Sequence, residues 1–217
     1  MIRVMVIDDE ALVRSGFELI LGQDPDIDVV ATSDGRSALE QIDHYGPDVV
    51  LLDIRMPDID GLAILRAVLA RPQPPVVAML TTFDADEYVL QSLRLGASGF
   101  LLKDTDPHQL AMLVKTLAAG GVVLSPTVTR SVIRGFTAGE AVAAAGAAIE
   151  RLSDRERLVL GYIAAGRSNR EIAELIQHST GTVKDDVSAI LAKLGVGTRV
   201  EAALIAQQAG LLDRSAP

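Results

Sequence analysis

Apolar positions in the first 121 residues fall into short unbroken runs at 2–7, 27–31, 48–53, 76–80 and 99–102, rich in Val, Ile and Leu. Runs of this length, bounded by turn residues, mark strands buried on both faces. Between them, stretches of about ten to fifteen residues carry apolar side chains at helical spacing, as in Leu12, Phe17, Leu19 and Ile20, or Leu62, Ile64, Leu65 and Val68. Strands alternating with helices predict an α/β domain over 1–121, a five-stranded parallel sheet wound on both faces. Asp106 followed by Pro107 is a strong helix start, and Gly120-Gly121 ends that helix.

The pattern changes after Gly121. Residues 122–149 are rich in Ala and Gly, with Thr137 to Ala148 nearly free of large side chains. No face there is worth burying, and the segment reads as a linker. From Glu150 to Pro217 the chain is helical punctuation. Ser153-Asp154-Arg155-Glu156, Ser168-Asn169-Arg170-Glu171 and Thr198-Arg199-Val200-Glu201 each fit a capping box. Ser179 or Thr180 opens a further helix through Leu194, and Gly166, Gly195 and Gly210 fall where helices should close. Four short helices in this span predict an all-α domain with a helix-turn-helix at its middle.

Composition narrows the chemistry. Cysteine is absent, which excludes disulfides, thiolate metal sites and cysteine nucleophiles. Aromatics are 3% of residues against 49% hydrophobic, so the cores must be aliphatic. No apolar run is long enough to span a membrane and none at the N-terminus fits a signal peptide, so a soluble cytoplasmic protein with no membrane partner is expected. The net charge of −9 is uneven. Residues 1–121 hold 9 Lys+Arg against 19 Asp+Glu, whereas 150–217 hold 9 of each. An acidic unit joined to a neutral one argues for two domains with different partners.

Candidate chemistry collects at strand ends. Val49 to Leu52 stops abruptly at Asp53, and Val4 to Ile7 stops at Asp8-Asp9. Open α/β sheets bind ligands at the carboxyl ends of their strands. Three carboxylates meeting there repel one another unless a proton or a divalent cation intervenes, and oxygen ligands suit Mg²⁺. Asp8-Asp9, Asp53 before Met56-Pro57 and Gly61, Thr81, and Lys103 after Gly99-Phe100-Leu101-Leu102 stand in one order and spacing. Singly each is weak, since an Asp at a strand end is usually a turn former and a Lys usually a solvated charge. Together they resemble the receiver domain of two-component response regulators. The resemblance implies that Asp53 is the phosphoacceptor and that Mg²⁺ is held by Asp9 directly, by Asp8 through water, by Asp53 and by the backbone carbonyl of Arg55. It further implies that Lys103 and Thr81 hold the phosphoryl oxygens, with Phe100 swinging inward as Thr81 moves. An aspartate-nucleophile phosphatase of the haloacid-dehalogenase type is the rival, but it wants a second Asp where this chain has Arg55. A dedicated enzyme is therefore not expected.

Residues 150–212 resemble the LuxR-type helix-turn-helix of NarL/FixJ response regulators. Leu152-Ser153, Arg155-Glu156, Gly166, Ser168 to Ala173, Gly181 to Lys184, Val187-Ser188, Ile190-Leu191, Lys193 to Val196 and Arg199 carry the match. The Thr180–Leu194 helix is then the reader. Val183, Val187, Ile190, Leu191 and Leu194 form its inner stripe, and Gly181, Asp185, Ser188, Ala189 and Ala192 the opposite face. Thr182, Lys184, Asp185, Ser188, Lys193, Arg170 and Arg199 are the candidate DNA contacts. The chain departs from the family where Asp186 replaces a common His and Ala189 a frequent Asn. Asp185-Asp186 puts two acids on or beside the groove face, which opposes phosphate attraction but can accept from cytosine N4. In the last helix, Val200, Ala203, Leu204 and Gln207 share a stripe that the family uses to pair two effector domains; the same residues can equally pack on their own domain.

The reading is a transcriptional response regulator phosphorylated by a sensor histidine kinase, dimerising on activation and binding a two-fold site on double-stranded DNA. The alternatives are a phosphorylation-independent regulator and a protein-interaction module with weakened DNA binding.

Overall fold

The computed structural model describes residues 1–82, 86–124, 128, 149–209 and 211. Among these residues the elements run β1 (Ile2–Ile7), α1 (Ala11–Leu21), β2 (Ile27–Ser33), α2 (Ala38–Tyr45), β3 (Val49–Asp53), α3 (Gly61–Leu69), β4 (Val76–Thr81), α4 (Asp86–Leu95), β5 (Gly99–Leu102) and α5 (Pro107–Ala118). The C-terminal domain adds α6 (Asp154–Ala164), α7 (Asn169–Leu175), α8 (Thr180–Leu194) and α9 (Arg199–Gln208).

The strands pair in the order β2-β1-β3-β4-β5, all parallel. The order reverses between β1 and β3, and this is the switch point at which the strand ends leave an open crevice. Both central strands are enclosed. Val4 to Ile7 and Val49 to Leu52 are fully buried because helices cover both faces. One layer packs Met5, Ile7, Val50, Leu52, Leu65, Met79 and Phe100 beneath α2, α3 and α4; the other packs Val4, Val6, Leu51, Leu80, Leu101 and Val114 beneath α1 and α5. The α1 stripe differs from expectation. Phe17 and Leu21 face the core, while Leu12 and Leu19 are 89% and 70% exposed. Local spacing marks the helix, but the angle at which it crosses the sheet decides which side chains reach inward.

One glycine is required for the crevice. A Cβ on Gly61 would stand 2.2 Å from the Asp53 carbonyl and 2.8 Å from that of Ile54. The first turn of α3 therefore lies against the end of β3, capped by Asp60 accepting from Leu62 N at 3.0 Å.

The edges of the expected linker are packed. Val123 bridges Gly99 in parallel, and its carbonyl accepts from Phe100 N at 2.7 Å, extending the sheet by a short edge segment. Val128 is fully buried in the α2–α4 layer. Ile149 lies in the core of the C-terminal domain. Residues 125–127 and 129–148, the bulk of the expected linker, lie outside the described residues, as does Gly210.

The C-terminal domain follows its caps. Ser153 with Glu156, Ser168 with Glu171 and Thr198 with Glu201 form complete capping boxes, and Ser179 caps α8 through Thr182 N. Gly195 ends α8 in the left-handed region at φ +69°. Its core gathers Val159, Leu160, Ile163, Ile172, Val183, Ile190, Ala202 and Ala206. Val200 and Leu204 are absent from it: both are buried instead in the α2–α4 layer of the first domain.

Candidate functional site

The acidic crevice is built by β1, β3 and β5. Asp8 and Asp53 are 0% and 3% exposed, at the ends of the two central strands. Asp9 is solvent-accessible beside them, and one carboxylate oxygen from each of the three lies within 4.8 Å of the others. Lys103, just beyond β5, places its Nζ 2.9 Å from Asp8 Oδ2 and donates to Asp53 Oδ2 and Glu10 Oε1, each at 3.0 Å. Arg55 N donates to Asp53 Oδ1 at 3.2 Å, which orients the carboxylate from its own loop.

Burial pushes Asp8 and Asp53 above the usual carboxylate range, and the Lys103 ammonium only partly offsets it. Burial alone would pull Lys103 down, but its close contacts with the Asp8, Glu10 and Asp53 carboxylates outweigh that and raise it above the ordinary lysine value. The pocket is therefore short of positive charge. One ammonium serves three carboxylates, and Asp8 Oδ2 receives no well-aligned hydrogen bond despite its proximity to Lys103. A cluster of hard oxygens with this deficit fits a divalent cation such as Mg²⁺.

Two contributors escaped sequence reading. Glu10 supplies a third carboxylate to Lys103. Arg14 Nη1 donates to the Asp8 and Asp9 carbonyls at 2.7 and 3.0 Å and pins the acidic turn to α1. The adjacency of Glu10 to Asp8-Asp9 was the available signal; Arg14 carried none. Thr81 is buried at the end of β4, 7% exposed. Phe100 is fully enclosed in the α2–α4 layer, the inward position that the swing would take it to.

The C-terminal helices sort the other candidates. Lys184, Asp185 and Ser188 lie exposed on α8, with Thr182 half-buried and bonded to Ser179. Exposed Arg170 pairs with Glu174, one helical turn on. Lys193 is engaged otherwise: its Nζ contacts both Glu156 oxygens at 2.7 Å, locking α8 to α6. Arg199 points into the protein, donating to Asn169 Oδ1 at 2.5 Å and to the Arg167 carbonyl, and burial lowers its pKa to about 10. Neither Lys193 nor Arg199 is a free phosphate contact here, because each was captured by a partner some 30 residues away or more. Asp186 also turns inward, accepting from Arg155 Nε and Nη2 at 3.1 and 2.8 Å. Asp185 is left as the exposed member of the acidic pair. Among the dimer candidates, Val200 and Leu204 are covered by the first domain, Ala203 packs half-buried against its own domain, and Gln207 is exposed. The expected common stripe is thus divided between two neighbours.

Comparison with known proteins accounts for both halves. The profile of the response regulator receiver domain matches residues 4–115, and that of the bacterial regulatory proteins of the luxR family matches 150–206. The chain is a response regulator of the NarL/FixJ family. It is 36% identical to the transcriptional regulatory protein DegU of Brevibacillus brevis over 214 residues, covering 93% of this chain and 91% of that one. It is 35% identical to the DNA-binding transcriptional activator DevR/DosR of Mycobacterium tuberculosis over 224 residues, covering 100% and 98%. The crystal structure of ChrA, the response regulator of a heme-sensing two-component system, aligns over 97% of this chain and 98% of that one, with 35% identity and a TM-score of 0.50.

Residues 4–115 thus match the receiver side of a response regulator and 150–206 its effector side, which makes the chain a transcriptional regulator and not a dedicated enzyme. A phosphorylation switch is typical of the family. Among the described residues no helix is long and apolar enough to cross a membrane.

Proposed function

We propose that Asp53 accepts a phosphoryl group from the phosphohistidine of a sensor histidine kinase, and that the new charge releases the effector domain to dimerise on a two-fold site in double-stranded DNA. Kinase, regulator and DNA then meet in the cytoplasm. The observation that carries this reading is Asp53 itself, a buried carboxylate at the strand end with Lys103 at 3.0 Å and the Asp8-Asp9 oxygens beside it.

In the transfer, one Asp53 carboxylate oxygen attacks phosphorus in line. The O–P bond forms as the N–P bond breaks, and the electron pair returns to the imidazole, which takes up a proton. Asp53 must be ionised to attack, and Lys103 favours that form. Asp9, Asp53 and the Arg55 carbonyl, with Asp8 through water, would hold Mg²⁺, which when bound would supply positive charge against the incoming phosphoryl oxygens. Lys103 then exchanges one carboxylate for a phosphoryl oxygen, and the Thr81 hydroxyl donates to another. Because Phe100 is already enclosed, the response passes through Thr81 and the start of α4, where a small local change biases a packed interface. On the effector side, Lys184 and Arg170 contact phosphates while Ser188 and Asp185 reach base edges.

The test is the mass and oligomeric state of wild type and Asp53→Ala with Mg²⁺ and a small acyl phosphate. A phosphoryl adduct on wild type alone, with a shift to dimer, is expected. No adduct on either protein overturns the phosphorylation reading and leaves a phosphorylation-independent regulator.

A further inference from the structure

Glu10 stands where a side chain can cap a helix, and its side chain goes elsewhere. It is the N-cap residue of α1, with extended backbone at φ −79° and ψ 110°, yet its carboxylate accepts no bond from the first turn. A capping carboxylate would satisfy one of the orphan N–H groups there. Instead, Glu10 Oε1 accepts from the Lys103 ammonium at 3.0 Å, across 93 positions of chain. The backbone of the same residue also faces the crevice, its N–H donating to Asp8 Oδ1 at 2.9 Å.

The Lys103 ammonium is the scarce group at this site. Its side chain is 9% exposed, and it donates to Asp53 Oδ2 and Glu10 Oε1. Asp8 Oδ2, fully buried and only 2.9 Å from Nζ, receives no aligned bond. One ammonium proton is thus held by a carboxylate that is 57% exposed, while a buried carboxylate beside it goes without.

We propose that Glu10 is a positioning residue that parks Lys103, and that Glu10 is the carboxylate Lys103 gives up when a phosphoryl group arrives. This rests on the reading of Asp53 as the phosphoacceptor. The arriving oxygens carry more negative charge than the Glu10 carboxylate and come to Asp53, where Lys103 already donates. Releasing Glu10 is the least costly exchange, because an exposed carboxylate regains water and the enclosed Asp8 does not. Until that exchange, the Glu10 contact stabilises the empty acceptor and holds one ammonium proton away from the incoming oxygens. Glu10 therefore slows loading. It acts through Lys103 and takes no part in the covalent step.

Loading of the full-length chain is followed by intact mass, with saturating Mg²⁺ and a small acyl phosphate. An Asp53 oxygen attacks phosphorus, the bond from phosphorus to the acyl oxygen breaks, and a free carboxylate leaves with the electron pair. Glu10→Gln removes the charge and keeps the shape, whereas Glu10→Asp keeps the charge and withdraws it by one methylene. Glu10 makes no side-chain cap bond, so neither change takes such a bond from α1. Both variants are expected to load faster than wild type by about two- to fivefold, the size set by one partly exposed ion pair. In protein labelled with ¹⁵N-lysine, the Lys103 ammonium resonance should move in both variants before any donor is added, a signal that a change confined to helix stability leaves in place.

Glu10→Gln loading no faster than wild type overturns the proposal. Glu10→Asp loading at the wild-type rate does so too, since it assigns the effect to charge at the rim and not to the contact. An unmoved Lys103 resonance is equally fatal. Absence of an adduct on wild type would instead overturn the reading of Asp53, and the resonance would still report whether Glu10 holds Lys103.

Discussion

Arg155 on α6 closes over Asp186 on α8 with two nitrogens on one carboxylate oxygen, Nε at 3.1 Å and Nη2 at 2.8 Å. Its Nη1 meets His178 Nε2 at 3.1 Å, in the turn between α7 and α8. The pair fixes the reader helix against the scaffold and takes one of two adjacent acids out of the groove.

Asp185 and Asp186 should therefore behave differently although they are neighbours. Asp185→Ala removes an exposed negative charge and should tighten non-specific DNA binding by roughly threefold while reducing discrimination between sequences. Asp186→Ala should change non-specific affinity little and instead cost stability. A double-mutant cycle with Arg155→Ala should return a coupling of about 0.5–1 kcal/mol, the range for a partly exposed pair. Equal effects of the two alanines on DNA binding would contradict this placement.

The salt dependence of DNA binding separates free cations from captured ones. Lys184→Ala should lower the slope of log K against log salt by about 1, the signature of one lost phosphate contact. Lys193→Ala should leave the slope unchanged, since Lys193 is bonded to Glu156. Arg199→Ala should do the same and lower the unfolding midpoint, because its guanidinium ties Asn169 and Arg167 to α9.

Stability of the receiver should vary with pH in a sense set by its buried acids. Asp8 and Asp53 are raised on folding, so the folded chain binds their protons more tightly than the unfolded one. Their contribution is then largest below the ordinary carboxylate value of 3.8 and declines as pH rises through the raised folded values. Mg²⁺ competes with those protons, so its stabilising effect in thermal melts should grow as pH rises through the raised values of these carboxylates. Asp53→Asn should raise the metal-free melting midpoint at pH 8 and shrink the Mg²⁺ effect. A Mg²⁺ increment independent of pH would argue against this charge balance.

Phe100 is a packing residue before it is a switch. It is among the largest fully buried side chains, at the layer shared by β4, β5, α4 and the α9 face. Phe100→Ala should cost about 3–5 kcal/mol in chemical denaturation, as truncations of buried aromatics do. A loss confined to signalling, with stability unchanged, would instead show the swinging role without the packing one.

The sequence alone determined everything that depends on short-range pattern. The strands lie within two residues of the apolar runs, Asp106 and the three capping boxes start their helices where the spacing places them, and Asp8, Asp9 and Asp53 share one crevice because each ends a run of apolar residues. Tertiary structure decided which polar and apolar side chains remained available. Lys193, Arg199 and Asp186 are the same residue types as Lys184, Arg170 and Asp185 on neighbouring helical surfaces, yet Glu156, Asn169 and Arg155, 30 or more positions away, claimed the first three. Val200 and Leu204 likewise satisfy a stripe that fits their own domain or a second copy, and the receiver took them. Periodicity records what a residue's own helix does with it; its distant partner depends on how separate elements cross, and no local pattern encodes that angle.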